Sequence, residues 1–518
     1  MDTRERDSRE LAEFGYLQRL ARPLGSFAAF AMSYGFVAVL TSVTALFFFG
    51  FAAAGPGFVW GYPLAAIPTV LVCLCLAELA GEMPLTGSLY QWTRALTHSR
   101  LLPWLTGWFF IAALLTVVPV IGPTLQAVLT PVFEGLQLVG GTADVGTSTT
   151  KGGALNAMIL GVVGLMFTTI VNIIGVRWAA RVAGAVVIIE LIATCVMVVG
   201  FALNIHRGPG VIFESHGTGG DYTTGYFGAL LVALMMGGYS YFGFESAATL
   251  AEEVRNPRAV GPKTLIRVLG LVVLSAMLLV TFALMAVPNI RAPELGTIGM
   301  PYVIQSTLGK TLGDILLLCV GVAVLGAITA LQATAGRVIF AMARNNRLPF
   351  SSSLSRVSPN RKTPIAPLVV LGVGGCTLLI LNYGNTRIFS TIAAVGIVLY
   401  YISYLFVVIP MLMARLRGQW PPARQGPYFS LGRWGFAVNV GAVVGTVALV
   451  IDIAWPRAFV YGTDHWYLHW GSVTVTAVLL LVGLAYYAVV IRHRDDAPRL
   501  EHSALVDSTQ PADEPPSD

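Results

Sequence analysis

Apolar residues run through this chain in long uninterrupted blocks, without the three-four spacing of a soluble amphipathic helix or the alternation of a half-buried strand. From Leu24 to Ala77 there is no Asp, Glu, Lys or Arg. The one interruption is Gly55-Pro56-Gly57, a turn signal that divides the stretch into two segments of about 20 residues or more, so the region reads as a helical hairpin. Further charge-free stretches run 101–133, 152–176, 268–290, 315–336, 388–414 and 470–491. Each is long enough to cross a hydrocarbon core of about 30 Å as a helix, whereas a membrane β-strand needs only about ten alternating residues. Adding spans that carry one or two buried acids predicts helices at 26–51, 57–80, 103–130, 153–175, 180–203, 226–250, 264–288, 313–342, 364–383, 387–413, 434–455 and 467–491. The expected fold is therefore all-α and integral to a membrane, with twelve transmembrane helices.

Composition agrees, since 56% of the 518 residues are apolar and only 11% charged, against about 25% charged in soluble domains. Charge placement adds orientation. With the N-terminus inside, 26 of the 32 basic residues fall in inner segments, and the outer loops hold only Lys151, Arg207, Arg291, Lys310, Arg387 and Arg457. Basic residues are retained on the cytoplasmic side, so both termini are expected there, in a plasma membrane. The net charge of +6 thus reads as topology. It gives no reason to expect nucleic acid, for which basic residues cluster on one face with aromatics interleaved.

Cys73, Cys75, Cys195, Cys319 and Cys376 all lie inside predicted spans, where cysteine behaves as a small apolar residue, and no metal site is suggested. The outer loop around 131–151 has no cysteine, so no disulfide-linked partner subunit is implied. The mixed-charge run Asp2 to Glu10 precedes no short apolar region with a cleavage site, and no signal peptide is expected. Residues 1–25 read as a cytoplasmic segment, and 495–518 as a disordered acidic tail. No nucleophile elbow, phosphate loop or paired metal ligand has the strand-turn-helix context it needs, so no catalytic residue and no cofactor is proposed.

Two spans are irregular near their midpoints. The first contains Val39-Leu40-Thr41-Ser42-Val43-Thr44, and the sixth Gly237-Gly238-Tyr239-Ser240-Tyr241-Phe242-Gly243-Phe244-Glu245. Five is odd, so a five-helix unit followed by its copy sits in the membrane upside down, the inverted-repeat plan of many secondary transporters. The repeats would be 26–203 and 226–413, with peripheral helices at 434–491. Backbone groups freed at a break cannot face lipid unpaired, and a zwitterion suits them: the positive half-helix end meets a carboxylate and freed carbonyls meet an ammonium. The plainer explanation is packing, because small residues are common where membrane helices cross.

Several segments resemble the amino acid-polyamine-organocation superfamily, closest to its branch of permeases for amino acids, gamma-aminobutyrate and choline. They are Leu11-Ala12-Glu13-Phe14-Gly15-Tyr16, Ser33 to Thr44, Ala77-Glu78-Leu79 with Pro84 to Trp92, and Trp104-Leu105-Thr106-Gly107-Trp108. Gly243-Phe244-Glu245 to Glu252-Glu253-Val254-Arg255-Asn256-Pro257 and Arg337 to Pro349 with Thr363-Pro364 continue the series, which covers roughly four fifths of the chain. The resemblance implies a leucine-transporter-like fold, ten helices in two inverted halves plus two peripheral ones, working by alternating access. It implies that Leu40, Thr41 and Ser42 form an unwound turn whose amides receive a carboxylate, although relatives usually have Gly where this chain has Ser42. It implies that Tyr239, Ser240, Tyr241 and Phe242 form the second unwound segment, giving carbonyls for an amine and a ring to close over it.

Two buried acids remain, and acids at bilayer depth are functional candidates. Glu190 lies about 15 Å into its helix. Relatives that couple to protons carry a titratable group on the fifth helix, near the place where others bind sodium; a structural, hydrogen-bonded Glu is the other reading. Glu245 sits just past the second break, where it would bond freed backbone groups, couple closure to protonation or favour cationic substrates. Glu78 and Glu82 end the second span, and Glu252, Glu253, Arg337 and Arg344 lie at inner helix ends as an inner gate or as solvated anchors. The expected function is a secondary transporter for amino acids or related amines, with the proton as coupling ion. A choline or polyamine carrier, an exchanger and a non-transporting nutrient sensor stay open, and an enzyme is disfavoured.

Overall fold

Charge-free apolar blocks fold as helices because backbone N–H and C=O groups in a bilayer must be satisfied within their own segment. The computed structural model describes residues 11–12, 14–16, 18, 20–381, 383, 386–422, 428–462 and 466–494. Residues 1–10 of the predicted N-terminal segment and the predicted acidic tail, 495–518, lie outside the described residues. The chain runs through α1 (Ser26–Val37), α2 (Val39–Ala54), a 3-10 turn at Gly55–Trp60, α3 (Gly61–Glu82) and the short α4 (Ser88–Leu96). Next come α5 (Leu101–Val117), α6 (Ile121–Leu129), α7 (Lys151–Ile174) and α8 (Val176–Leu203). The second half holds α9 (Tyr226–Tyr241), the one-turn α10 (Ser246–Thr249), α11 (Pro257–Ala286), α12 (Met300–Leu308) and α13 (Lys310–Arg344). It ends with α14 (Ile365–Leu381), α15 (Thr386–Leu416), α16 (Gly435–Ala454) and α17 (Gly471–Val489).

Among the described residues, nine helical stretches are long and apolar enough to cross a membrane, the first being the 57-residue run Ser26–Glu82. Tyr226–Tyr241 and Ile365–Leu381 are shorter apolar helices. Outward-facing residues such as Val163, Phe167, Ile170 and Ile174 on α7 recur at three-four spacing and form a lipid-facing stripe. The core lies elsewhere: α1 packs against α8, α11 and α13, and α3 against α9, α11 and α16. The most apolar part of the first stretch is 78% buried and that of the last only 11%, which makes α17 peripheral.

Three expected spans are not continuous, the first being divided at Ala38. The third is interrupted by a 3-10 turn at Val118–Val120, because Pro119 has no N–H to donate to the helix ladder. The sixth stops at Tyr241, well before the expected residue 250. The seventh begins earlier than expected, at Pro257, with proline in the first-turn position it favours.

Candidate functional site

The first break is a single residue. Ala38 adopts φ 41°, ψ 74°, a left-handed conformation unusual for alanine, and so ends α1 and begins α2. Its N–H is accepted by Tyr34 O at 2.8 Å and its carbonyl accepts the Ser42 N–H at 2.9 Å. The break therefore falls just before the expected run, and Leu40, Thr41 and Ser42 form the first turn of α2 instead of an unwound strand. The Leu40 amide is already used: it donates to Glu190 Oε1 at 3.1 Å. Glu190 is fully buried on α8, and its Oε2 makes no hydrogen bond among the described residues. A carboxyl at the positive start of a half-helix satisfies the orphan amide that the break creates.

The second break spans residues 242–245. Phe242 is extended and Gly243 has φ +95°. Tyr239, Ser240 and Tyr241, expected in the unwound segment, remain in the last turn of α9. Gly237 and Gly238 do not unwind because they serve close packing. A Cβ on Gly237 would stand 2.6 Å from Gly61 O, and one on Gly238 would stand 3.0 Å from Ile453. At Gly243 conformation and space coincide, since a Cβ there would lie 2.0 Å from the Phe36 ring. Gly243→Ala is accordingly expected to lower stability by about 2–4 kcal/mol, from left-handed strain plus overpacking. A thermal melt of the purified variant checks this, and an unchanged melting temperature would mean that the aromatic cluster gives way freely.

The two breaks are tied together. Ser33 Oγ on α1 donates to Phe244 O at 3.0 Å and accepts the Ala247 N–H at 2.7 Å. Glu245 is clamped by two hydroxyls of α15: Tyr400 OH donates to Oε1 at 2.7 Å and Tyr404 OH to Oε2 at 2.6 Å, while Tyr404 OH accepts the freed Gly243 N–H at 3.2 Å. The Phe242 ring stacks on Tyr400 at 4.5 Å and meets Tyr239 edge-on at 5.5 Å. Between the breaks lies a cavity of about 40 Å³ lined by Phe36, Ala38, Thr41, Ser42, Tyr239 and Phe242, closed on its other side by residues of α5, α6 and α13. That is room for a water molecule or two. Thr41, Ser42, Tyr239 and Phe242 thus come together as expected. Leu40, Ser240 and Tyr241 are buried but do not line the cavity, and neither do Glu190 and Glu245. Thr124 and the Val117–Ile121 stretch, together with Val324 and Leu331 on α13, are the lining residues that no motif singled out. Pro119 was the one sequence signal for the former.

At the end of the bundle where α1 begins lie two buried ion pairs. Arg344 makes a two-pronged contact with Glu252 at 3.0 and 2.9 Å, and Arg337 reaches Glu253 at 2.9 and 3.3 Å. Tyr16 covers the Arg344 guanidinium, 4.0 Å from its ring centroid. These four residues pair with one another and are buried or nearly so, which does not fit solvated anchors. Glu78 belongs to a different contact, with Arg415, Trp420 Nε1 at 3.0 Å and the Leu431 amide at 3.0 Å.

Apolar helices broken in pairs around a buried cavity are a plan that multi-pass membrane transporters use. A profile described as amino acid permease matches residues 24–484. The chain belongs to the amino acid permease family, within the amino acid-polyamine-organocation superfamily, and is a transporter, not an enzyme. It is 25% identical over 504 residues to the amino-acid permease BAT1 homolog of Oryza sativa, covering 93% of this chain and 94% of that one. It is 25% identical to amino-acid permease BAT1 of Arabidopsis thaliana over 93% of this chain and 94% of that one. The serine/threonine exchanger SteT of Bacillus subtilis is 26% identical over 69% of this chain and 75% of its own.

Proposed function

We propose that this chain is a proton-coupled secondary active carrier of amino acids or closely related amines in the plasma membrane. It crosses the membrane twelve times with both termini cytoplasmic, in two inverted five-helix repeats that alternate access around α1–α2 and α9–α10. The observation that carries this reading is the convergence of both helix breaks on one cavity. In it the positive start of α2, through Thr41 and Ser42, would face a carboxylate, and the Phe242 ring lines the same cavity. The count of twelve takes Ser26–Glu82 as two crossings joined at Gly55–Trp60 and adds the two shorter apolar helices. The relatives named as amino acid permeases support the substrate class.

A charge argument supports the coupling. Glu190 already fills the anion position at the start of α2, and a substrate carboxylate on the same half-helix end would repel a second negative charge. Substrate and a proton on Glu190 therefore travel together. Glu245, held by two tyrosines and outside the cavity, serves better as a brace for the second break than as a counter-ion for a cationic substrate. Exchange is the second mode to consider, because one relative is named a serine/threonine exchanger.

Proteoliposomes with the purified protein are expected to take up radiolabelled neutral amino acids, and Ser42→Phe, which fills the 40 Å³ cavity, is expected to abolish uptake while the protein stays folded. Binding without flux in the wild type would instead identify a sensor, and unchanged affinity in Ser42→Phe would remove the carboxylate-site assignment.

A further inference from the structure

A second cavity, of about 850 Å³, lies away from the breaks at the end where α1 begins. It is bounded by the approach to α1, by the start of α8 and by the link from α10 to α11. Four arginines line it: Arg22, Arg177, Arg181 and Arg255. Two of them are drawn together by backbone pairing, since Leu24 N–H donates to Glu253 O at 3.1 Å and Arg255 N–H to Leu24 O at 2.9 Å. The Arg255 Nε also donates to Arg22 O at 3.3 Å. Arg177, Arg181 and Arg255 are exposed, and none has a carboxylate partner among the described residues. Arg22 is engaged with Gln18 Oε1 at 2.9 Å and Val254 O at 3.2 Å, whereas Arg177, Arg181 and Arg255 give the cavity mouth a positive potential.

The other wall is apolar. Phe27 on α1 and Ile188 on α8 line the same cavity and are 55% and 48% exposed on the lipid-facing surface. Trp178, 54% exposed, carries the Arg181 guanidinium 5.0 Å from its ring centroid. A surface tryptophan at a helix end marks the level of the membrane interface. One cavity thus presents cations at headgroup depth and hydrocarbon about two to three helical turns further along α8, a combination that suits an amphiphile and not a soluble anion.

We propose that this cavity binds a phospholipid with an anionic headgroup, its phosphate among Arg177, Arg181 and Arg255 and an acyl chain along Phe27 and Ile188. The bound lipid bridges the start of α1, α8 and the α10–α11 link. These are three elements that must separate if the bundle is to open at this end, so the lipid stabilises the closed arrangement of the Glu252–Arg344 and Glu253–Arg337 pairs. The inference rests on the proposed orientation only for which leaflet supplies the lipid, and its test needs no flux.

Delipidated full-length protein in neutral detergent is titrated with phosphatidylglycerol, phosphatidylcholine and inorganic phosphate, and bound lipid is counted by native mass spectrometry alongside a thermal melt. Phosphatidylglycerol is expected to be retained and to raise the melting temperature, while phosphatidylcholine and phosphate do neither. In Arg177→Gln/Arg181→Gln its affinity should fall by about tenfold or more, since each basic residue near anionic lipid contributes on the order of fivefold. The melting temperature without lipid should stay unchanged. Arg356→Gln, an exposed arginine outside the cavity, should bind like wild type. Equal retention of both lipids, a phosphate effect as large as that of phosphatidylglycerol, or undiminished binding in the double variant overturns the proposal. Failure of amino acid uptake with lipid binding intact would count against the transport reading alone.

Discussion

Glu190→Gln is expected to keep substrate-for-substrate exchange while losing accumulation driven by a pH gradient. The geometry separates the two. Glu190 Oε1 accepts the Leu40 N–H at 3.1 Å, and the amide oxygen of a glutamine accepts the same bond, so the start of α2 keeps its partner and the break its shape. What the substitution removes is the ability to alternate between charged and neutral. A one-unit pH gradient coupled to one proton supports about a tenfold substrate gradient, and the variant should reach a ratio of about one. Both assays are run on the same proteoliposomes, exchange with labelled substrate inside and uptake under an imposed gradient. If the variant accumulates substrate as well as wild type, Glu190 is a structural cap for the Leu40 amide and coupling resides elsewhere.

How far the sequence foretold this arrangement depends on the length scale of the signal. Helix positions in the membrane were legible because the absence of charge over about 20 residues is a long-range constraint set by bilayer thickness. For α7 the expected 153–175 is Lys151–Ile174, and for α14 the expected 364–383 is Ile365–Leu381. The breaks were legible to within a few residues and no better. Small and polar residues mark a region where the backbone is free to leave the helix, but Gly237 and Gly238 are small because α3 and Ile453 press against them. The chain unwinds at Gly243 instead, and only the Phe36 ring beside it distinguishes that glycine from its neighbours.

Long-range partners were not legible. Nothing in the pattern around Leu40 indicates that its amide meets a carboxyl 150 residues away. Nor does the pattern around Glu245 point to Tyr400 and Tyr404, although all three sit in apolar spans where an unpaired polar group is costly. The ends of the helices misled in the opposite sense. Charges there usually remain in water, and Glu78 was grouped with the gate by position alone, yet it bonds to Arg415 and Trp420 far along the chain.

Removing Arg337 alone should destabilise the protein by about 3–5 kcal/mol, and removing Glu253 as well should restore most of that loss. The pair is more secluded than any other described here: the arginine side chain is 1% exposed and the glutamate 0%. Nε–Oε1 at 2.9 Å and Nη2–Oε2 at 3.3 Å make a two-pronged contact, and Nη1 donates to Ala333 O at 3.3 Å within the same helix. Arg337→Met therefore strands a carboxylate in a medium that cannot solvate it, and most of the cost is that stranded charge. Glu253→Gln/Arg337→Met fills similar volume without a charge, so the double variant should melt close to wild type. The contact nevertheless joins the 3-10 turn at Ala251–Glu253 to α13. If the proposed alternating access parts these two elements, loss of the attraction removes a contact made only in the closed state, and the population shifts toward opening at this end. The double variant should then show normal stability with altered labelling of a cysteine placed at Ala248, a buried position on α10, which precedes this 3-10 turn. Normal melting with unaltered labelling would make the pair a packing device, and a double variant as unstable as Arg337→Met would mean that the cost lies in lost shape and not in stranded charge.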